Sequence, residues 1–274
     1  MAENYFPPVS DLLSLGETGI HDMDSDRYQG FTREHIPELI RVVEDEELHY
    51  AEWKEDGTLA QEIYAQVHAW RVLTKLGAVE AIPAFIGLLH SIDDDDDDYI
   101  GEEIPVMLGQ LGAPAIDPCR EYLADRSHGI FARVAAAHAL SQIGKQHPET
   151  RDACVRALMS TLEGYQKDDE TVNGFTLSYL GELQAVEAAP LAKQIYEQGH
   201  AELVIAGDYE DYQIKVGLLK ERLTPRNFGY GPEPGMKKIL EEFSNQQKQA
   251  RQAEKKEKNK RKQEKKARKR HRKK

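Results

Sequence analysis

The stretch "ARVAAAHALSQIG", Ala132 to Gly144, decides the reading of this chain. Leu140 stands four residues before the glycine and Ile143 one before it, a spacing that puts both on one face of a helix. Three other segments close alike: "AQVHAWRVLTKLG" ending at Gly77, "IGEEIPVMLGQLG" at Gly112 and "DETVNGFTLSYLG" at Gly181. Leu73, Leu108 and Leu177 repeat the first position, and Leu76, Leu111 and Leu180 the second. A glycine suits the site just past a helix end, where the backbone turns left-handed, so each unit is expected to stop at its glycine.

A second apolar segment follows each stop: "AVEAIPAFIGLLH", "APAIDPCREYL", "KQHPETRDACVRALMSTL" and "ELQAVEAAPLAKQIY". Pro83, Pro118 and Pro190 fall in or next to the first turn of these segments, where a missing N–H is harmless. Pro105, with Gly101 and Gly109 beside it, is expected to kink its own helix. Helix pairs recurring every 32 to 37 residues cannot bury their apolar faces alone. They must stack, which predicts an all-α fold, an α-solenoid of about five to six helix pairs.

These residues carry a family resemblance. "ARVAAAHALSQIG" resembles the second helix of a HEAT repeat, and the "AIP" and "AAP" entries into the following segments resemble its first helix, over most of residues 33–222. Only Arg133 fills the usual arginine position of the family; Gln66, Gly101 and Glu170 stand at the others, which puts the family's repeat-to-repeat ion pair in question. The end "GDYEDYQIKVGLL" also resembles a bacterial HEAT-like family of unknown function, often followed by a cysteine-rich zinc motif that is missing here. The resemblance implies protein binding. It also implies, as an alternative, a phycobilin-lyase-type or chaperone protein, because some members attach bilins to phycobiliproteins. Fold alone does not choose between these.

Charge divides the chain. Between Lys248 and Lys274, 16 Lys/Arg against 3 Glu leave +13, while the remaining 20 basic and 45 acidic residues leave −25. Four parts are therefore expected: an N-terminal extension (1–30), the helical repeats (31–222), a Gly/Pro linker with a short helix (223–247), and a Lys/Arg-rich tail (248–274). The tail holds no aliphatic residue larger than Ala and is expected to be disordered or transiently helical. Lys260, Arg261, Lys262, Lys265, Lys266, Arg268, Lys269, Arg270, Arg272, Lys273 and Lys274 form its densest polyanion-binding stretch. It suits non-specific RNA or DNA through counterion release, without base reading, or intramolecular pairing with the acidic body.

In an α-solenoid the second helices line one face, and their solvent-side positions can be counted back from the closing glycine. Thirteen residues before it stand Tyr64, Tyr99 and Phe131; six before it stand Arg71, His138 and Phe175. With His68 and Tyr179 these form the expected groove for an unidentified protein, since aromatics and Arg dominate interface energetics. The competing reading packs the same aromatics between repeats.

Chemistry is harder to find. "HDMDSDRYQG" alternates Asp22, Asp24 and Asp26 like the start of a calcium loop, but Arg27 and Arg33 occupy the positions of its Gly and Glu. No zinc-protease, nucleophile-elbow, phosphate-loop or dinucleotide motif occurs, so no catalytic residue, cofactor or metal ligand is assigned. Cys119 and Cys154 read as buried thiols of a reducing compartment. No apolar run reaches the ~20 residues of a membrane span and the start lacks signal-peptide features, which points to the cytoplasm, or to the nucleus in a eukaryotic host.

One feature remains, "HSIDDDDDDYIGEEIP", with six aspartates from Asp93 to Asp98. The run falls in the turn before the helix that begins near Tyr99, so one or two aspartates can cap that helix. The others repel one another and must be solvated, screened or paired; nothing in so flexible a run fixes metal geometry, and weak cation association is the only binding role left to it.

Overall fold

Several helices of this chain begin where a carboxylate closes their first turn. Asp97 accepts from the Ile100 amide at 2.9 Å, Asp169 from that of Thr171 at 2.8 Å, and Asp208 from that of Asp211 at 3.0 Å. Each oxygen satisfies an amide that has no partner inside its helix. The computed structural model describes residues 5–19, 22, 26–50, 60–95 and 97–226, and every regular element among them is helical. None of the described helices is long and apolar enough to cross a membrane.

In chain order the helices are α1 (Ile36–Val43), α2 (Glu46–His49), α3 (Ala65–Lys75), α4 (Ile82–Leu88), α5 (Ser91–Asp94), α6 (Asp98–Leu111), α7 (Ile116–Ala124), α8 (Ile130–Gln146), α9 (Arg151–Leu162), α10 (Glu170–Glu182), α11 (Ala189–Glu197), α12 (Leu203–Ala206) and α13 (Tyr209–Lys215). Packing sorts most of them into two layers. Helices α3, α6, α8 and α10 lie against one another in sequence order, and α1, α4, α7 and α9 do the same. The leucines that set the repeat, Leu73, Leu108, Leu140 and Leu177, have no solvent exposure at all. Fully burying such a side chain contributes about 1.5–3 kcal/mol, so the repeated positions supply the shared core.

The expected stops are half right. Gly77 takes φ +61° and Gly112 φ +76°, each just past its helix. Gly144 and Gly181, however, lie inside α8 and α10. Close packing accounts for both: a Cβ at Gly144 would stand 2.8 Å from Leu183 Cδ2, and one at Gly181 would stand 2.8 Å from Lys215 Cδ. The left-handed residue that follows α10 is instead Gln184, a non-glycine at φ +51°. There the Ala185 amide donates to the Leu180 carbonyl at 3.0 Å, as the Ala78 amide donates to that of Leu73. Pro83 and Pro190 fall at the second position of α4 and α11, and Pro118 at the third position of α7. Pro105 sits within a continuous α6.

Repetition is also visible in side-chain clamps. Arg33 reaches across to the Leu76 carbonyl and to Glu80, the latter at 2.6 Å. Arg151 does the same to the Leu183 and Gln184 carbonyls and to Glu187, at 2.9, 3.0 and 2.8 Å. The carboxylate targets lie in "GAVEAIP" (77–83) and "QAVEAAP" (184–190), two near copies of one turn, and Leu76 and Leu183 immediately precede them. Exposed pairs of this kind contribute little energy, but they mark equivalent junctions. Arg133, buried in α8, binds Asp168 through two hydrogen bonds of 2.7 Å and the Leu123 carbonyl at 2.8 Å. Burial works to raise the Asp168 carboxyl, but Arg133 outweighs it and holds the group below its usual range. An arginine-to-carboxylate tie between successive pairs therefore exists at the one position where the sequence offers the arginine.

The N-terminal segment is not an appendage. Tyr5, Val9, Leu12, Leu13 and Tyr28 are buried in the same core as the helices. The described residues up to Pro225 form one compact unit. The region from 227 onward, which includes most of the expected linker and the whole Lys/Arg-rich tail, lies outside the described residues.

Candidate binding surface

Glu103 occupies the same stripe of α6 as Ile100 and Met107, three positions before and four after it. A carboxylate on an apolar stripe needs a partner. Arg71 and Trp70 serve it: Arg71 Nε donates to Oε2 at 2.8 Å, Arg71 Nη2 donates to Oε1, and Trp70 Nε1 donates to Oε2 at 2.9 Å. Both charged side chains are fully buried. Arg71 uses its remaining N–H groups on the N-terminal segment, donating to Thr18 Oγ1 at 2.9 Å and the Gly19 carbonyl at 2.8 Å. Burial works against the guanidinium charge, but the bonds to Glu103 and Tyr28 outweigh it, so its pKa is raised.

His68 extends the network. Its Nε2 bonds the Gly16 carbonyl at 2.9 Å, which requires a proton there, and Nδ1 then accepts from the Tyr28 hydroxyl at 2.7 Å. Desolvation lowers its pKa, with the Arg71 and Arg27 charges adding to the effect. Tyr99, whose hydroxyl donates to the Thr18 carbonyl at 2.9 Å, lies edge-on to Tyr64 with ring centroids 6.1 Å apart.

Four of the eight expected groove residues therefore stand under a cover. His68 and Arg71 are not solvent-side residues: both are wholly buried, and Tyr64 and Tyr99 are half-buried. Residues 16–19 pass over them, held by carbonyls that any sequence would offer. Counting back from a glycine finds the helix face but cannot see that a segment about 50 residues upstream fills it. Glu103, Thr18 and Tyr28 were missed on the same ground, although the lone acid in the apolar stripe was a readable signal for Glu103.

The other four gather further along the layer. His138 stacks on Tyr179 with ring centroids 5.2 Å apart and planes 7° from parallel, and Phe175 lies behind Tyr179 at 6.1 Å. Gln142 Nε2 meets His138 Nε2 at 2.8 Å. Phe131 is 54% exposed. A cleft of about 320 Å³ opens between these rings and the start of α6, with Asp97, Asp98 and Glu102 on its far wall. Burial pushes the Tyr179 hydroxyl well above its usual pKa, and the nearby Glu182 and Glu102 add to that.

The aspartate run resolves into separate structural duties. Asp93 accepts from the Phe131 and Ala132 amides at 3.0 and 2.7 Å, capping α8 of the next helix pair. Asp95 faces the preceding pair, 3.3 Å from His49 Nε2 and accepting from the Tyr50 hydroxyl at 3.2 Å. Asp97 caps its own helix, α6. Among the described residues no group of three or more acids, histidines or cysteines is placed to hold a metal ion. Cys119 and Cys154 are buried, and burial raises both thiols, which makes them poor nucleophiles. The tail positions from Lys260 to Lys274 lie outside the described residues.

Comparison with family models, with curated proteins and with solved structures finds no match to this chain.

Proposed function

We propose that this chain is a non-enzymatic interaction scaffold, a HEAT-like α-solenoid of about five to six helix pairs whose α3–α6–α8–α10 layer binds an extended segment of a partner protein. In this reading the Lys/Arg-rich tail adds a second contact, to nucleic acid or another acidic surface, and the protein acts in the cytoplasm. One observation carries the groove: the layer already holds a segment without regular secondary structure, residues 16–19, through main-chain carbonyls that bond His68, Arg71 and Tyr99. Main-chain recognition of this kind supplies affinity with little demand on sequence, and side-chain pockets beside it supply selectivity.

The test separates the two contacts. Proteins recovered with the full-length chain are compared with those recovered by Phe131→Glu and by a chain lacking Lys248–Lys274, each with and without nuclease. Groove partners should be lost with Phe131→Glu and kept without the tail, while nucleic acid should follow the tail. The same proteins in every sample would sink the scaffold reading.

A further inference from the structure

We infer that the open cleft between α6, α8 and Tyr179 is a receptor for a lysine or arginine side chain, so that the partner segment is basic; this deepens, and rests on, the scaffold reading above. Asp98 and Glu102 stand four positions apart on α6, one turn along the same face, and both are exposed. Neither carboxylate has an ion-pair or hydrogen-bond partner among the described residues, in contrast to Asp93, Asp95 and Asp97. No Lys or Arg lines the cleft. Opposite the acids stand Phe131 and the stacked His138 and Tyr179 rings.

A cation fits this pair of walls from both sides. Carboxylates pair with it, and ring faces attract it through their quadrupoles. Arginine adds flat stacking on the aromatic plates. The aliphatic stem would lie on Ile92, Val134 and Ala135, which also line the cleft. An acidic side chain would meet Asp97, Asp98 and Glu102 together.

The experiment uses the full chain with a photoreactive benzoylphenylalanine in place of Phe131, and three nonapeptides alike except for a central Arg, Glu or Leu in a Gly/Ser background. The Arg peptide should crosslink, and its affinity measured by fluorescence anisotropy on the natural chain should fall about tenfold in Glu102→Lys, the size expected for losing one close charge pair. Asp117→Lys, on α7 in the other layer, makes the same change in net charge and should leave affinity unaltered. Because Glu102 is exposed, circular dichroism should find the variant folded. Equal loss in both variants, or in neither, overturns the inference. Preferential crosslinking of the Glu or Leu peptide overturns the basic class and leaves the scaffold standing. Crosslinking only within the chain or to a second copy makes the cleft self-occupied and overturns the inference, and no crosslinking at all removes the scaffold reading with it.

Discussion

Asp93 holds the amide of Phe131, 38 residues further on, at 3.0 Å, so that an acid of α5, between the two helices of one pair, caps the second helix of the next. The following amide, of Ala132, is bound by the same carboxylate at 2.7 Å. Gly129 leaves room for the approach, since a Cβ there would collide with the Asp93 carboxylate.

That arrangement separates the six aspartates. Asp93→Ala should destabilise the fold by about 1–2 kcal/mol, the range for a lost N-cap that serves two amides. Asp94→Ala and Asp98→Ala, both exposed, should change it by less than about 0.5 kcal/mol. Urea midpoints of the three variants check this, and equal losses would mean that the run acts only through its total charge.

Arg71 and Glu103 are buried together, which makes single changes worse than a joint one. Glu103→Gln or Arg71→Met should each destabilise by about 3–5 kcal/mol by leaving a buried charge unpaired. The double variant Arg71→Met/Glu103→Leu should recover much of that loss, because no uncompensated charge remains. Additive losses in a double-mutant cycle would contradict it.

His68 gives the fold an acid-sensitive joint. Its folded pKa is lowered, by desolvation first and then by Arg71 and Arg27, while the unfolded value is the ordinary ~6.5. The unfolded state therefore takes up the proton first. The contribution of neutral His68 is present above about pH 6.5 and fades as pH falls through the folded pKa. Glutamine can donate to Gly16 and accept from Tyr28 without titrating, so His68→Gln should lose less stability than the natural chain between pH 7.5 and 5.5. Parallel urea curves at the two pH values decide it.

Helix endings give a test of opposite signs. Gln184 takes a left-handed conformation that costs a residue with a Cβ about 1–2 kcal/mol, so Gln184→Gly should raise the melting temperature. Gly144→Ala should lower it, even though Ala is the better helix former, because its methyl would press on Leu183. Calorimetry on both variants checks the signs.

Much of the fold was legible because helical periodicity is a local property. Leu73, Leu108, Leu140 and Leu177 could be placed in the core from spacing alone, and Arg133 stood out as the arginine that fills the usual position of the repeat. The closing glycines were legible only in part. A glycine that frees φ and a glycine that lets two helices approach look the same in a sequence, and the neighbour of Gly144, Leu183, lies 39 positions away.

The face of the second helices divides along the same line. The sequence by itself determined an all-helical chain, the apolar stripe of each second helix, an acidic body with a basic end, and the row of aromatic and basic residues from Tyr64 to Tyr179. Tertiary structure decided which of them meet solvent. His68 and Arg71 lie under residues 16–19, whereas Phe131, His138 and Tyr179 border an open cleft. Spacing along a helix fixes only direction from the helix axis; what fills that direction depends on segments distant in sequence, whose arrival is governed by buried hydrogen bonds rather than by local pattern.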